Sequence, residues 1–160
     1  MIGYPRLQSA SAHDEPFLYS LFATVKRESM IGLTLEPEQL DMLLQMQWKA
    51  RSHSYALQYP ESASNVIYSS EAIPAGGCIT ELTTERLSIV DLAIFPEHRN
   101  GGIGAFVIKH MQDTAARHCV SVLLSVDRSN PALRLYERMG FYITGSNDFQ
   151  YSMRWDPENQ

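Results

Sequence analysis

Short apolar runs alternate along the chain with segments whose apolar residues recur at helical spacing. A short strand is expected at residues 6–10, and apolar side chains then recur three and four positions apart over residues 14–28. The same spacing returns after a proline-led start at residue 36 and continues to Trp48. This pattern predicts one strand followed directly by two amphipathic helices.

The middle of the chain has the pattern of β-strands. Residues 65–69, 72–73 and 78–82 are rich in apolar and β-branched side chains, and Ala75, Gly76 and Gly77 between them predict a turn. Residues 86–95 form a longer run that is apolar on both faces. Such a run is typical of a strand in the centre of a sheet.

The last third of the chain returns to alternating helices and strands. The pattern predicts a helix at residues 102–117, a strand at 121–126, a short helix at 131–139 and two strands at 141–145 and 149–155. The predicted element order is β-α-α-β-β-β-α-β-α-β-β. With 160 residues, 44% of them hydrophobic, and no repeat or linker, we expect residues 1–160 to form a single domain.

The composition limits the binding partners and the cellular compartment that we expect for this protein. Lys and Arg number 13 against 18 Asp and Glu, and no basic run occurs, so we expect no nucleic-acid partner. The absence of a long apolar run and of a leader-like start predicts a cytoplasmic protein with no membrane partner. Cys78 and Cys119 lie far apart and lack metal-ligand spacing, which predicts reduced thiols and no metal site.

The strongest chemical signal is a glycine-rich turn after the central strand. The apolar run ends at Pro96, and the next helix opens with the sequence R-N-G-G-I-G at residues 99–104. A strand, turn and helix in this order present unpaired N–H groups and the positive end of the helix dipole to an anion. The turn lacks both the Lys-Ser/Thr of ATP loops and the full dinucleotide fingerprint, which disfavours an enzyme acting on nucleotide phosphates.

Two sequence blocks carry a family resemblance. The R-x-x-G-x-G pattern at residues 99–104 resembles the coenzyme A pyrophosphate loop of the GCN5-related N-acetyltransferases. A second block, N-P-A-L-R-L-Y-E-R-M-G-F at residues 130–141, is similar to the other signature of that family, N-x-A-x-x-x-Y-x-x-x-G-F. The resemblance extends over residues 86–145. It implies an α/β (α+β) fold with a mixed, mostly antiparallel sheet that is splayed between strands 4 and 5 and flanked by helices.

The resemblance also implies the reaction and the coenzyme-binding residues. Acetyl-CoA would be the cosubstrate, and its acetyl group would pass directly to a primary amine of a small molecule or peptide, in a ternary complex and without a metal. The pantetheine arm would pair with the backbone of Leu92, Ala93 and Ile94, and Asn130 would bind it from the other side. The pyrophosphate would lie on the turn formed by Arg99, Asn100, Gly101, Gly102, Ile103 and Gly104.

Two of these assignments have structural alternatives. Arg99 would add positive charge beside the pyrophosphate, or it is an ordinary surface residue. Asn130 precedes Pro131, and asparagine followed by proline is also a favourable start for a helix. Both roles of Asn130 can coexist, because an amide has donors and an acceptor.

Tyr136 and Asp91 are the candidate catalytic residues. Tyr136 stands at the family's tyrosine position, where a phenol would stabilise the departing thiolate, but it also belongs to an apolar stripe and could be a core aromatic. Asp91 interrupts an apolar strand, and family members often carry a carboxylate there. A buried carboxylate has the raised pKa that suits a general base, although Asp91 could equally anchor backbone groups. Glu28 and Glu81 are weaker candidates for the base.

The sequence leaves the acceptor open. The resemblance implies an acceptor pocket built by residues 25–59, where Trp48, Tyr55, Tyr59 and Glu28 could form an aromatic, acidic pocket for an amine, or else core and dimer contacts. The aromatic C-terminal hairpin could pair across a homodimer. The alternative function is a noncatalytic acyl-CoA-binding module, which would keep the glycine turn and have no need of the Tyr136 phenol.

Overall fold

Seven strands form one mixed sheet in the computed structural model, which describes residues 3–158. The strands are β1 (Arg6–Ser9), β2 (Ala63–Tyr68), β3 (Pro74–Leu82), β4 (Arg86–Ile94), β5 (Ser121–Asp127), β6 (Tyr142–Ser146) and β7 (Gln150–Trp155). They lie in the order β1-β2-β3-β4-β5-β7-β6. The β4–β5 pair is parallel and the others are antiparallel, as expected for a mixed, mostly antiparallel sheet.

Four α-helices in the described residues flank this sheet. They are α1 (Glu15–Ser29), α2 (Pro37–Gln58), α3 (Ile103–Arg117) and α4 (Ala132–Arg138). Helix α1 packs against β3 and β4, and α3 packs against β4 and β5. Strand β4 therefore lies in the middle of the sheet with helices against it, and the predicted element order is confirmed.

The start of α2 follows from its sequence. Pro37 occupies the first helical position, where its missing N–H costs no hydrogen bond. The side chain of Gln39 turns back to accept the backbone N–H of Glu36 at 3.2 Å, which satisfies a donor outside the helix. The helix runs ten residues beyond Trp48, the last periodic position in the sequence, to Gln58.

The predicted turn at Ala75, Gly76 and Gly77 is wrong. These residues lie inside β3, where Gly76 pairs with Ile94 of β4. A Cβ atom on Gly76 would lie 2.3 Å from the carbonyl oxygen of Ala93, so glycine is required for the close approach of two strands. The glycines therefore serve packing within the sheet and do not reverse the chain.

The chain reverses a few residues earlier. The Ser69 hydroxyl accepts the N–H groups of Glu71 and Ile73, each at 3.3 Å, and Ala72 adopts a left-handed conformation with φ 62°. This hydrogen-bonded turn replaces the short strand predicted at residues 72–73. A serine-closed turn carries a weaker sequence signal than a pair of glycines, which explains the misplacement.

The sheet separates between β4 and β5. The two strands pair from Arg86 and Ser121 to Ile89 and Leu124, and their pairing ends there. Val90 is an extra residue in β4, because successive residues of β3 pair with Asp91 and Ile89. The resulting bulge lies where the strands diverge, and the predicted splay between strands 4 and 5 is confirmed.

Two further observations concern the surface. Among residues 3–158, no helix combines the length and the apolar character needed to cross a bilayer. Strand β6 forms one edge of the sheet, and all of its residues are exposed. Pairing of this edge in a homodimer stays a prediction.

Candidate functional site

A cleft of about 450 Å³ lies where β4 and β5 separate. Its walls come from the diverging ends of these strands, from α1 and α2, and from the segment leading into α4. Asp91, Asn130 and Tyr136 all line this cleft, although they are far apart in the sequence. The structure thus brings the two predicted catalytic residues and the predicted pantetheine partner into one site.

One edge of β4 is free inside the cleft. Leu92, Ala93 and Ile94 pair with β3 on one side, whereas pairing with β5 ends at Ile89. The backbone groups of this segment that do not bond to β3 are open to an extended ligand, which can add to the sheet as a strand does, apart from the Ile94 carbonyl, which accepts a hydrogen bond from Arg99. This arrangement fits the predicted role of Leu92, Ala93 and Ile94 towards a pantetheine arm.

The glycine-rich turn forms an open anion cradle. Asn100 and Gly102 adopt left-handed backbone conformations, with φ 64° and 88°. The first backbone N–H group that forms a helical hydrogen bond in α3 is that of Phe106, which donates to the Gly102 carbonyl at 3.0 Å. The N–H groups of residues 100–105 donate to no acceptor within residues 3–158. A Cβ atom at Gly102 would meet nothing within 4 Å, so this space is free for a phosphate.

Arg99 donates three hydrogen bonds to two protein groups. Its Nη1 and Nη2 atoms donate to the two carboxylate oxygens of Glu28, each at 2.9 Å, and its Nε donates to the Ile94 carbonyl at 3.0 Å. The hydrogen bonds from Arg99 hold the pKa of Glu28 below its usual value. Arg99 thus ties α1 to the turn and keeps two of its five N–H donors without a partner among the described residues.

Tyr136 combines a core position with an opening to the cleft. Its ring is 7% exposed and packs edge-on against Phe141, with the ring centroids 5.8 Å apart. Burial, together with the nearby charge of Asp91, raises the pKa of Tyr136 to about 12. The hydroxyl makes no hydrogen bond to any part of the chain that the structure describes, so its donor is available to a ligand.

Asn130 acts as a cap and leaves donors available. Its Oδ1 atom accepts the backbone N–H of Ala132 at 2.9 Å, which satisfies one of the free donors at the start of α4. The amide group also lines the cleft, where its NH₂ has no acceptor among the described residues. The capping role predicted for Asn130 is present, and the ligand-binding role remains open to it.

Asp91 is paired with an arginine that the sequence did not indicate. Arg51 of α2 donates from Nη2 to Oδ2 of Asp91. Burial raises the pKa of Asp91, and the charge and hydrogen bond of Arg51 oppose that effect without cancelling it. Asp91 therefore has the raised pKa expected of a base, next to a fixed cation.

The aromatic side chains of α1 and α2 surround this cation. The Arg51 guanidinium lies 5.2 Å from the ring centroid of Phe22 and 5.1 Å from those of Trp48 and Tyr55. These distances are those of cation–π contacts. The pocket expected to be aromatic and acidic therefore already contains a cation of its own.

Each acid proposed as a base lies near an arginine. Glu81 is buried, accepts the N–H of Glu61 at 3.0 Å and lies 3.8 Å from Arg86, so it anchors the chain after α2. Glu28 is bound to Arg99, as described above. Of the three candidates, only Asp91 lines the cleft.

Comparison with known proteins places the chain in a family. A model of the acetyltransferase (GNAT) family matches residues 28–141, which is most of the chain. The protein therefore belongs to the GNAT acetyltransferase family, and the resemblance drawn from the two sequence blocks is confirmed.

Particular relatives match only part of their own length. The cysteine-rich protein 2-binding protein of Mus musculus is 33% identical over 94 residues, which is 59% of this chain and 12% of that protein. Streptothricin acetyltransferase of Streptomyces lavendulae is 38% identical over 69 residues, 42% of this chain and 36% of that protein. The chain thus spans about an eighth to a third of the length of these curated relatives.

Among solved structures, the PaiA N-acetyltransferase of Thermoplasma acidophilum in complex with coenzyme A is similar over nearly the whole chain. The TM-score is 0.74 at 12% sequence identity, with 95% of this chain and 98% of that one covered. At this identity the comparison shows a shared fold.

Proposed function

We propose that this protein is an acetyl-CoA-dependent N-acetyltransferase that transfers the acetyl group directly to a primary amine. One observation carries the proposal: Asp91 and Tyr136 face the same cleft, beside a free strand edge that leads to an anion cradle. Family membership and a coenzyme A complex of similar fold support it.

The chain offers a binding group for each part of the coenzyme. The free N–H groups of residues 100–105 would hold the pyrophosphate at the start of α3, with help from the helix dipole. The β4 edge from Leu92 to Ile94 would hydrogen-bond the pantetheine arm, and the Asn130 amide would donate from the opposite wall. When bound, the coenzyme supplies an activated acetyl thioester.

Asp91 would accept the proton that the amine must lose. A lysine-like amine has a pKa near 10.4, so making it neutral at pH 7 costs nearly 5 kcal/mol. In the reaction the amine nitrogen bonds to the acetyl carbon while the carbon–sulfur bond breaks, and the nitrogen gives up a proton. A carboxylate with a raised pKa is a better acceptor for that proton than an ordinary one.

Tyr136 would stabilise the departing sulfur. A phenol with a pKa of about 12 transfers its proton to a thiolate of pKa ~8.5 only at a cost of about 5 kcal/mol. Tyr136 therefore acts mainly as a hydrogen-bond donor to the charge that develops on sulfur. Its hydroxyl, without a partner in the described chain, is suited to this role.

The ionisation and the positions of the two cysteines agree with direct transfer of the acetyl group to the amine. Cys78 lines the cleft, but burial and the nearby charge of Asp91 raise its pKa to about 12. A thiol with this pKa is almost never ionised at neutral pH and is a poor nucleophile. Cys119 is exposed and does not line the cleft.

The test is amine-dependent release of coenzyme A thiol, measured with a thiol reagent while mass spectrometry follows the acetylated amine. Cys78 and Cys119 set an amine-independent background, which a reaction without amine subtracts. The proposal expects thiol and acetylated amine in equal amounts. Acetyl-CoA binding without thiol release from any amine would contradict it and favour the noncatalytic acyl-CoA-binding module.

A further inference from the structure

Arg51 has hydrogen-bonding capacity that the described protein does not use. Its side chain is 18% exposed and lines the cleft, and its single hydrogen bond within residues 3–158 goes to Asp91. A guanidinium carries five N–H donors, and leaving donors unpaired in a mostly buried place is costly. The remaining donors are therefore available to a ligand in the cleft.

The surroundings of Arg51 fix its charge in place before any acceptor arrives. Phe22 of α1 and Trp48 and Tyr55 of α2 contact the guanidinium, and Asp91 holds it from β4. Trp48 is itself packed against Phe22, with the ring centroids 5.3 Å apart. A preorganised, planar donor group of this kind suits bidentate recognition of a carboxylate.

The same contacts disfavour a purely cationic acceptor. The rings that could bind an ammonium group already bind Arg51, so a cationic acceptor would have to displace it or lie beside it. Placing a second cation close to the Arg51 guanidinium is unfavourable. The charges that complement the Asp91–Arg51 pair are those of a zwitterion, with its amine towards Asp91 and its anionic group towards Arg51.

Building on the proposed function, we propose that Arg51 is a specificity-determining residue that binds a carboxylate of the acceptor while the acceptor amine meets Asp91. Because Arg51 contacts Asp91 directly, the amine and the carboxylate must lie only a few bonds apart. The acceptor is accordingly an amino acid or a similarly compact amine that carries a carboxylate.

The experiment compares amines that differ only in the carboxylate. Phenylalanine with phenethylamine, lysine with cadaverine, and alanine with ethylamine are assayed with acetyl-CoA at one pH. The readout is kcat/KM for the acid divided by kcat/KM for its partner. This ratio does not depend on the concentration of active enzyme, so it remains valid for a variant that folds only in part.

The wild-type protein should prefer the carboxylate-bearing amine in at least one pair. Arg51→Met should lower this preference about tenfold or more, which is the usual effect of losing a charge-assisted hydrogen bond. Arg51→Lys should restore part of it. Arg27→Met is the matched control, because Arg27 also joins α1 to α2, through Asp41 at 3.2 Å, and does not line the cleft. Its ratio should equal that of the wild type.

Calorimetry adds a readout that does not need turnover. Each amine is titrated into protein saturated with coenzyme A, and the acid should bind more tightly than its partner to the wild type but not to Arg51→Met. Equal ratios in the wild type and Arg51→Met, or binding of no acid more tightly than its partner, would overturn the inference. Equal acetylation of both members would overturn it and leave the acetyltransferase proposal intact, whereas no thiol release from any amine would contradict that proposal itself.

Discussion

At the scale of single residues, the site depends on two side chains whose ionisation is shifted in the same direction. Burial raises the pKa of Asp91 and, together with the Asp91 charge, that of Tyr136. A raised pKa makes the carboxylate a stronger base and the phenol a weaker acid. In the proposed reaction the two residues therefore differ in role: Asp91 would take a proton, and Tyr136 would donate a hydrogen bond.

Replacing Tyr136 by phenylalanine should affect catalysis and spare the fold. The hydroxyl has no partner in residues 3–158, so its loss removes no folding contact, and the melting temperature should stay the same or rise. We expect kcat to fall about 100-fold with an unchanged Kd for acetyl-CoA. Tyr142→Phe is the matched control, because the Tyr142 hydroxyl binds Asp156 outside the cleft. Full turnover in Tyr136→Phe would leave Tyr136 as a packing residue.

Asp91 should set the acidic limb of the pH–rate profile. As the pH falls through its pKa, the carboxylate becomes protonated and kcat/KM declines, at a pH above the ordinary carboxyl range. Arg51→Met should move this limb to still higher pH, because a neighbouring cation lowers the pKa of a carboxyl group. Asp91→Asn should remove the limb. An unchanged limb in that variant would assign the proton transfer to water or another group.

At the scale of elements, two glycines near the start of β3 affect how closely other elements pack against this strand at the wall of the cleft. A Cβ atom at Gly76 would lie 2.3 Å from the Ala93 oxygen, and one at Gly77 would lie 2.8 Å from Cδ2 of Leu18. Strand β4 therefore approaches β3 more closely than a larger residue at position 76 would allow, whereas the Leu18 side chain can turn away from a Cβ atom at Gly77. The β4 residues placed by this contact are those that would bind the pantetheine arm.

Gly76→Ala should destabilise the protein and disturb the cleft together. Separating β3 from β4 costs about 1–3 kcal/mol, as in other overpacked sites, and the melting temperature should fall by roughly 2–12 °C. Acetyl-CoA affinity should weaken as well. Gly145→Ala is the control, since a Cβ atom there meets nothing within 4 Å. Equal melting temperatures for the two variants would contradict the close approach.

Some helices and strands could be predicted from the sequence, and others could not. Periodicity predicts α3 and β4, and the two sequence blocks indicate the glycine turn, Asn130 and Tyr136 as parts of one site. Asp91 is a candidate for that site because it interrupts an apolar strand. The second half of α2 gave no such signal, because Leu44 is the buried residue of that helix and the residues after Trp48 are mostly exposed. Arg51 lies in this half. Its role depends on contacts with α1 and β4, and the sequence around Arg51 gives no indication of these contacts.

At the scale of the whole molecule, two ion pairs join the first helices to β4 and to the glycine-rich turn. Arg51 of α2 binds Asp91 of β4, and Glu28 of α1 binds Arg99 of the turn. Neither could be predicted from the sequence, because the partners are distant along the chain and charged residues occur throughout it. These pairs therefore connect the helices that form the proposed acceptor site to the strand and turn that form the proposed coenzyme site.

Thermal melting with and without acetyl-CoA tests whether this protein binds the coenzyme. At about 100 times the Kd, binding should add about 2.7 kcal/mol and raise the melting temperature by roughly 5–10 °C, whereas ATP and NAD should have no effect. Gly101→Trp should abolish the shift, because Gly101 has no positive φ, so the substitution should leave the turn intact while its large ring crowds a phosphate bound there. Gly145→Trp should retain it. A wild-type protein whose melting temperature does not respond to acetyl-CoA would contradict the assignment of the cleft to this coenzyme.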